Sequence, residues 1–378
     1  MNVTLLDAMN SIAHGAGERA LERFLASGFR RIEPGVLHPA AIFLELSGEE
    51  IRGRLFQTVS PTTGEELCLR PEYTIPVCRA YLASDKAGAV AEYAYLGPVF
   101  RAQGEEGGER AQTGLESFGR KDAEAADAEI FSLAMEAAAA AGGRLSARVG
   151  DAALFDALLA ALALPEIWRR RLRRGLAQGR DLDAILDARF RSPLAQAGVL
   201  AALESADHDG ARALVEDLLA IAGIEPVGGR SASEIADRFL EQAALRSQDE
   251  IGGEKRRALE AYLAVSGDPD VAAAKLRELA KAAGLDLGAA LDAFERRNGF
   301  IAARGVAIEE TRFSAAFVRD FDYYTGFVFE AHDPSRPGAK PALAGGRYDG
   351  LARKLGARGD IPAVGAAITL DRLPMGAR

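Results

Sequence analysis

The sequence predicts an α+β fold, a mainly antiparallel sheet flanked by helices and interrupted by a helical insertion. Three observations predict it. Strand signals pair up between residues 57 and 120. Helical periodicity runs almost unbroken from Ala152 to about Ala303. Strand signals then return between Thr311 and His332, and a last apolar stretch runs from Ala363 to Leu373. A sheet-forming frame split by a helical block fits one domain interrupted by a module. The frame is assigned to residues 1–150 and 304–378 and the insertion to 151–303, with no fixed-period repeat.

Taken in order, residues 7–28 repeat Ala, Leu and Phe at helical spacing up to Gly28. Pro34 and Pro39 punctuate the next stretch, and Ala40–Leu46 leads into the turn or cap Ser47-Gly48-Glu49-Glu50. Gln57–Ser60 and Glu66–Arg70, joined by Pro61-Thr62-Thr63-Gly64, read as a hairpin. Residues 71–82 open with Pro and a carboxylate, as a helix start does. Residues 91–102 and 112–120 read as strands joined by a short acidic loop, Gly104–Glu109. Residues 123–142 form a helix ended by Gly142-Gly143, and Leu145–Val149 a short strand. In the helical block Asp151, Asp181, Ser231 and Asp268 are candidate caps. Thr311–Arg319 and Gly326–His332 read as strands, and Ala344–Gly350 as a glycine turn.

With 378 residues the chain can bury a large core and build two domains. Its net charge of −9 argues against affinity built on neutralising phosphates, so no nucleic-acid partner is expected. The Ala-rich runs are broken by charge and Gly, so no membrane span is expected either. Cys68 and Cys78 give neither metal spacing nor a disulfide framework, and the N-terminus lacks the basic and apolar regions of an export signal. A cytoplasmic location fits both. His14, His38, His208 and His332 are scattered and form no metal-binding or nucleophilic arrangement; neither metal nor cofactor is expected. The basic run Arg169–Arg174, after Trp168, reads as a solvated face at a helix end.

Three stretches carry chemistry. In Leu69–Pro76, Glu72 and Thr74 sit where strand gives way to helix; a carboxylate and a hydroxyl there can hold an ammonium group, or simply cap the helix. On two antiparallel strands, alternation lets Arg101, Gln112, Gly114 and Glu116 share one face. Such a polar cluster is costly to bury without a ligand or mutual pairing. In the third stretch, Arg319 offers a planar fork to a carboxylate, Tyr323 and Tyr324 offer hydroxyls and aromatic walls, and Gly345-Gly346 allows either a close approach or a tight turn.

In this order, the segments LRPEYT, GPVFR with QTGLESFG, VRDFDYYTG, AGGRYDGL and PAVGAAITLDRL resemble the signatures of class II histidyl-tRNA synthetases and their paralogues. FLELSGEEIRGRLF and CLRPEYTIPVCRAYL are similar, within that group, to the regulatory subunits of ATP phosphoribosyltransferase. The resemblance covers residues ~5–150 and ~305–376 and implies a class II synthetase-like core that dimerises. It implies a pocket for L-histidine, with Glu72 and Thr74 at the α-amino group, Gln112 and Arg319 at the carboxylate side, and Glu116 with Tyr323 or Tyr324 at the imidazole. Arg101 belongs to that pocket and, with Arg372, to a vestigial nucleotide site. The implied partner is the short-form catalytic subunit of ATP phosphoribosyltransferase, which opens histidine biosynthesis.

Departures from the synthetase pattern point away from catalysis. Glu105, Glu106 and Glu109 stand where a synthetase has a longer basic loop, and like charges repel phosphates. Asp320 and Thr369 stand where a synthetase has Gly, and the expected anticodon-binding domain does not follow residue 378. No catalytic residue is therefore assigned. The expectation is a non-catalytic subunit that activates its partner and supports feedback inhibition by histidine. The alternative is a truncated histidyl-tRNA synthetase or histidine-activating enzyme.

Overall fold

The computed structural model describes residues 3–46, 53–102, 108–186, 251–306, 308, 311–319 and 323–374, with positions 213 and 217. Chain contacts divide into two compact units, residues 1–158 with 262–378 and residues 159–261. The second is narrower than the 151–303 insertion, because residues 151–158 and 262–303 belong to the first.

The first unit is built on a nine-stranded sheet. Its strands are β1 (Arg30–Arg31), β5 (Ala91–Phe100), β6 (Glu109–Phe118), β7 (Ser146–Asp151), β8 (Ser266–Gly267), β9 (Arg312–Ser314), β10 (Phe327–His332), β11 (Leu343–Arg347) and β12 (Ala363–Thr369). Across the sheet the order is β1-β5-β6-β12-β11-β10-β7-β9-β8. The pairs β1–β5 and β7–β9 are parallel and the others antiparallel. A three-stranded sheet, β2 (Leu37–Pro39), β4 (Glu66–Leu69) and β3 (Gln57–Val59), contains the expected hairpin.

Helices α1 (Val3–Ala26), α2 (Ala40–Leu46), α3 (Thr74–Leu82) and α4 (Ala123–Ala140) precede or follow these strands. Beyond β7 come α5 (Ala152–Ala161), α6 (Glu166–Ala177), α7 (Leu182–Leu186), α8 (Gly253–Leu263), α9 (Pro269–Ala283), α10 (Gly288–Ala303) and α11 (Leu351–Lys354). Three of the four candidate caps are in place. Asp151, Asp181 and Asp268 accept backbone N–H bonds from Leu154, Ala184 and Val271. Ser231 lies outside the described residues. No described helix is long and apolar enough to cross a membrane.

One face of the sheet is the core. Helices α1 and α4 cover it, and Phe131 of α4 meets Phe327 and Phe329 edge-on at 5.9 and 5.0 Å. Helix α10 packs outside α4 and reaches back through a buried guanidinium. Arg297 pairs with Asp151 at the end of β7 and lies 3.6 Å from Asp127 of α4. Arg347 of β11 pairs with the same Asp127 at 2.7 Å and with Asp349 at 2.9 Å. Helix and sheet are thus joined through one carboxylate facing two cations.

In the second unit, Trp168, Leu172 and Leu176 are the buried side of α6. A methyl on Gly175 would stand 2.3 Å from Ile185, so glycine lets α7 close in. The basic run lies inside α6. It ends at Arg174 in the last turn, and within it Arg169 donates to the Leu164 carbonyl and Arg171 to that of Ile185.

Two strand expectations change. Only Arg312–Ser314 of residues 311–319 is strand, since Ala315 turns back onto Val265 beside the short β8. Gly345 and Gly346 are not a turn but lie within β11. A methyl on Gly345 would fall 2.4 Å from the Gly365 carbonyl, and one on Gly346 2.6 Å from that of Phe327. The turn comes later, at Asp349-Gly350.

Asp127→Ala should destabilise the first unit by about 3–5 kcal/mol, because two buried guanidinium groups lose a shared anion. Urea unfolding measures this; a change below about 1 kcal/mol would assign the network no structural role.

Candidate functional site

The opposite face of the same sheet carries the chemistry. Residues paired across strands share a face. Gln112, Gly114 and Glu116 of β6 pair with Thr369, Ala367 and Gly365 of β12, and Gly365 pairs with Gly346 of β11. The centre of this face is therefore a floor of small residues, with Gln112, Glu116 and Thr369 rising from it. That grouping of Gln112, Gly114 and Glu116 is the one the strand alternation predicts.

Helix α3 starts over this floor. Glu72 caps it: its carboxylate accepts the N–H groups of Thr74 at 2.6 Å and Ile75 at 2.9 Å. The Thr74 hydroxyl then donates to Glu116 at 2.8 Å. Tyr348, just past β11, donates its hydroxyl to the other oxygen of Glu116. Space for that carboxylate comes from Gly365, where an added methyl would stand 1.6 Å from it. Glu116 is wholly buried, and burial pushes its carboxyl from the ordinary 4.5 up to about 8, against the two hydroxyl bonds that pull it down. Burial likewise raises Glu72, opposed by its backbone bonds and by Arg101.

The other expected residues gather around this pair. Arg101 donates to the Pro71 carbonyl at 2.7 Å and acts electrostatically on Glu72. Tyr323 meets Tyr348 edge-on at 5.8 Å, and its ring lies tilted against that of Tyr324 at 4.9 Å. Burial raises Tyr324, and Arg319, 5.7 Å from its ring centre, opposes that rise. Arg319 also lies 3.7 Å from Glu330. Asp320, Asp322, Glu105 and Glu106 fall outside the described residues. Gln112 donates to Thr369 at 3.3 Å, while its buried amide oxygen finds no partner among the described residues. The Tyr95 hydroxyl, over Gly114, is also buried and unpartnered there. Arg372 turns to the Pro341 carbonyl at 3.1 Å, on the side of β12 where the chain leaves the sheet.

An enclosed set of carboxylate, hydroxyl, amide and guanidinium groups, with two buried polar atoms still unmet, is suited to a small polar molecule with donors and acceptors at both ends. Residues 5–221 and 210–373 match the family described as Histidyl-tRNA synthetase. A relative from Mesorhizobium japonicum, an ATP phosphoribosyltransferase regulatory subunit, is 41% identical over 93% of this chain and 94% of its own length. The chain belongs to the ATP phosphoribosyltransferase regulatory subunit family. A Brucella anthropi relative of the same name is 38% identical over 91% of this chain and 92% of its own.

Solved structures agree on the class II synthetase-like fold. One is described as an ATP phosphoribosyltransferase regulatory subunit/histidyl-tRNA synthetase from Bacillus halodurans. It superposes with a TM-score of 0.66 at 22% identity, covering 96% of this chain and 78% of that one. A histidyl-tRNA synthetase from Nostoc gives 0.61 at 16%, covering 96% and 70%.

For this regulatory-subunit chain, sequence reasoning passed over Tyr348, Tyr95 and Gly365. The signal for Tyr348 was present: two residues beyond Gly346 in a strand lies the same face. Tyr95 needed the register opposite Gly114, which no local pattern supplies. Among the described residues no group of His, Cys, Asp or Glu could hold a metal ion. Both cysteines are buried and free, and burial pushes the Cys68 thiol up to about 11, so neither is a nucleophile.

Two outcomes follow from Glu116. Its carboxyl titrates near 4.5 in the unfolded chain and near 8 in the folded one. Between these values the folded protein holds more protons, so this group's contribution favours folding below about 4.5 and falls as pH rises to about 8. Urea midpoints of wild type should therefore decline relative to Glu116→Gln across that window; a constant difference would mean an ordinary carboxyl. Gly365→Ala should cost about 1–3 kcal/mol or more, because its methyl evicts the carboxylate. A midpoint equal to wild type would contradict the packing.

Proposed function

We propose that this chain is a non-catalytic subunit that activates the short-form catalytic subunit of ATP phosphoribosyltransferase and carries feedback inhibition by histidine. The observation that carries the reading is the convergence of Glu72, Thr74, Glu116, Tyr323 and Tyr324 on one buried floor, in a chain of this family. Histidine is the ligand: its imidazole addresses Glu116 and a tyrosine hydroxyl, its ammonium the Glu72–Thr74 corner, and its carboxylate the Gln112 and Arg319 side. Arg101 borders the ammonium end.

The nucleotide side supports a regulatory role. Thr369 stands over Gln112, and Asp371 pairs with Arg110 at 2.6 Å, next to the Arg372 that turns to a carbonyl. The synthetase-like core self-associates as a dimer, and the catalytic subunit docks on that assembly. Histidine shifts the complex only if it binds the active and inhibited states unequally; a coupling of about 1–3 kcal/mol is enough.

The test mixes the purified chain with a separately purified short catalytic subunit and follows phosphoribosyl transfer, with and without histidine. Transfer should rise on mixing and fall with histidine. Glu116→Gln should weaken histidine binding by calorimetry by about 1–3 kcal/mol while leaving activation in place. No activation on mixing, or histidine-dependent exchange of pyrophosphate into ATP, would overturn the reading in favour of an amino-acid-activating enzyme.

A further inference from the structure

At the far end of the same sheet, away from Glu116, a cavity of about 470 Å³ opens where β7, β8 and β9 meet the end of β10. Arg148, Arg312, His332, Thr311, Ser146 and Asp268 line it. The strands themselves create its charge. Glu330, Arg148 and Arg312 stand in one row across β10, β7 and β9, in direct register. Adjacent strands lie about 4.8 Å apart, so Arg148 and Arg312 leave the sheet as neighbours. Like charges directly opposite one another destabilise a sheet.

The row does not neutralise itself. Glu330 is nearly buried and already accepts Arg148 at 2.6 Å and His332 at 2.9 Å, with Arg319 at 3.7 Å. One carboxylate therefore faces two arginines before Arg312 is counted. Arg312 is exposed and makes no ion pair among the described residues. The lining carboxylate, Asp268, has one oxygen committed to the N–H groups of Asp270 and Val271 at the start of α9. Arg148 is further fixed over the Phe317 ring, 4.2 Å from its centre. Two arginines in neighbouring strand positions lining a cleft of ligand size, on a chain of net charge −9, mark a site rather than a solvated surface.

We propose that this cavity binds a small phosphorylated anion, with the Arg148 and Arg312 guanidinium groups bridging one phosphoryl dianion and Thr311 and His332 at its flank. Two adjacent planar forks match the charge and oxygen spacing of a phosphoryl group better than a single carboxylate. The cavity is several times larger than one phosphate, leaving room for a second phosphoryl group or a sugar. The proposal does not rest on the histidine reading, though Arg319 stands between Glu330 and Tyr324.

Calorimetry on the full chain, with inorganic pyrophosphate, phosphate and succinate as probes, tests it. Pyrophosphate should bind more tightly than phosphate, and succinate should give no heat. Arg312→Glu should weaken pyrophosphate at least tenfold with an unchanged circular-dichroism spectrum, while Arg372→Ala leaves it within twofold of wild type. Pyrophosphate binding that survives Arg312→Glu, that disappears in Arg372→Ala, or that succinate matches would overturn the assignment.

Discussion

The structure turns on a carboxylate that water does not reach. Glu116 projects from the sheet onto a face where a polar group is stable only if hydrogen-bond partners surround it. Two hydroxyls meet it, one from the first turn of α3 and one from the segment leaving β11. Three parts of the chain are thus brought together by one side chain. Glu72, by capping α3, fixes where Thr74 stands and so takes part in the same arrangement.

The two faces of the sheet solve opposite problems with similar means. On the helix-covered face, Asp127 lies between Arg297 and Arg347, and the charges neutralise one another. On the other, burial raises the Glu116 carboxyl to about 8, and its described hydrogen-bond partners are hydroxyls rather than a cation. The first arrangement sets one carboxylate between two cations. The second leaves the Gln112 amide oxygen and the Tyr95 hydroxyl unmet nearby, which is why the regulatory reading centres there. The glycines of β6, β11 and β12 serve it by keeping the floor low enough for side chains to lie across it.

Much of this was legible in residues alone. The β5–β6 pair, α4 and its glycine end, and the capping aspartates all follow from local periodicity and backbone chemistry. Glu72, Thr74 and Glu116 were legible because motif order places them together. The Gly345-Gly346 strand was not: the pattern permits a turn or a close approach, and only the neighbouring Gly365 and Phe327 carbonyls decide. Nor was the alignment of Arg148 with Arg312, since a parallel pairing between residues so far apart leaves no local trace. Tyr348 lay between these cases, visible within the AGGRYDGL motif but given a role only by the strand alternation.

The sheet order has a consequence for how the molecule is made. The last strand, β12, lies between β6 and β11, and three C-terminal strands separate β6 from β7. While the ribosome is still emitting the middle of the chain, β6 must keep an open edge, and Glu116 cannot yet meet Tyr348. That edge is open to mispairing until β10, β11 and β12 have emerged, and the Glu116 site assembles only after the segment that follows β11 is made.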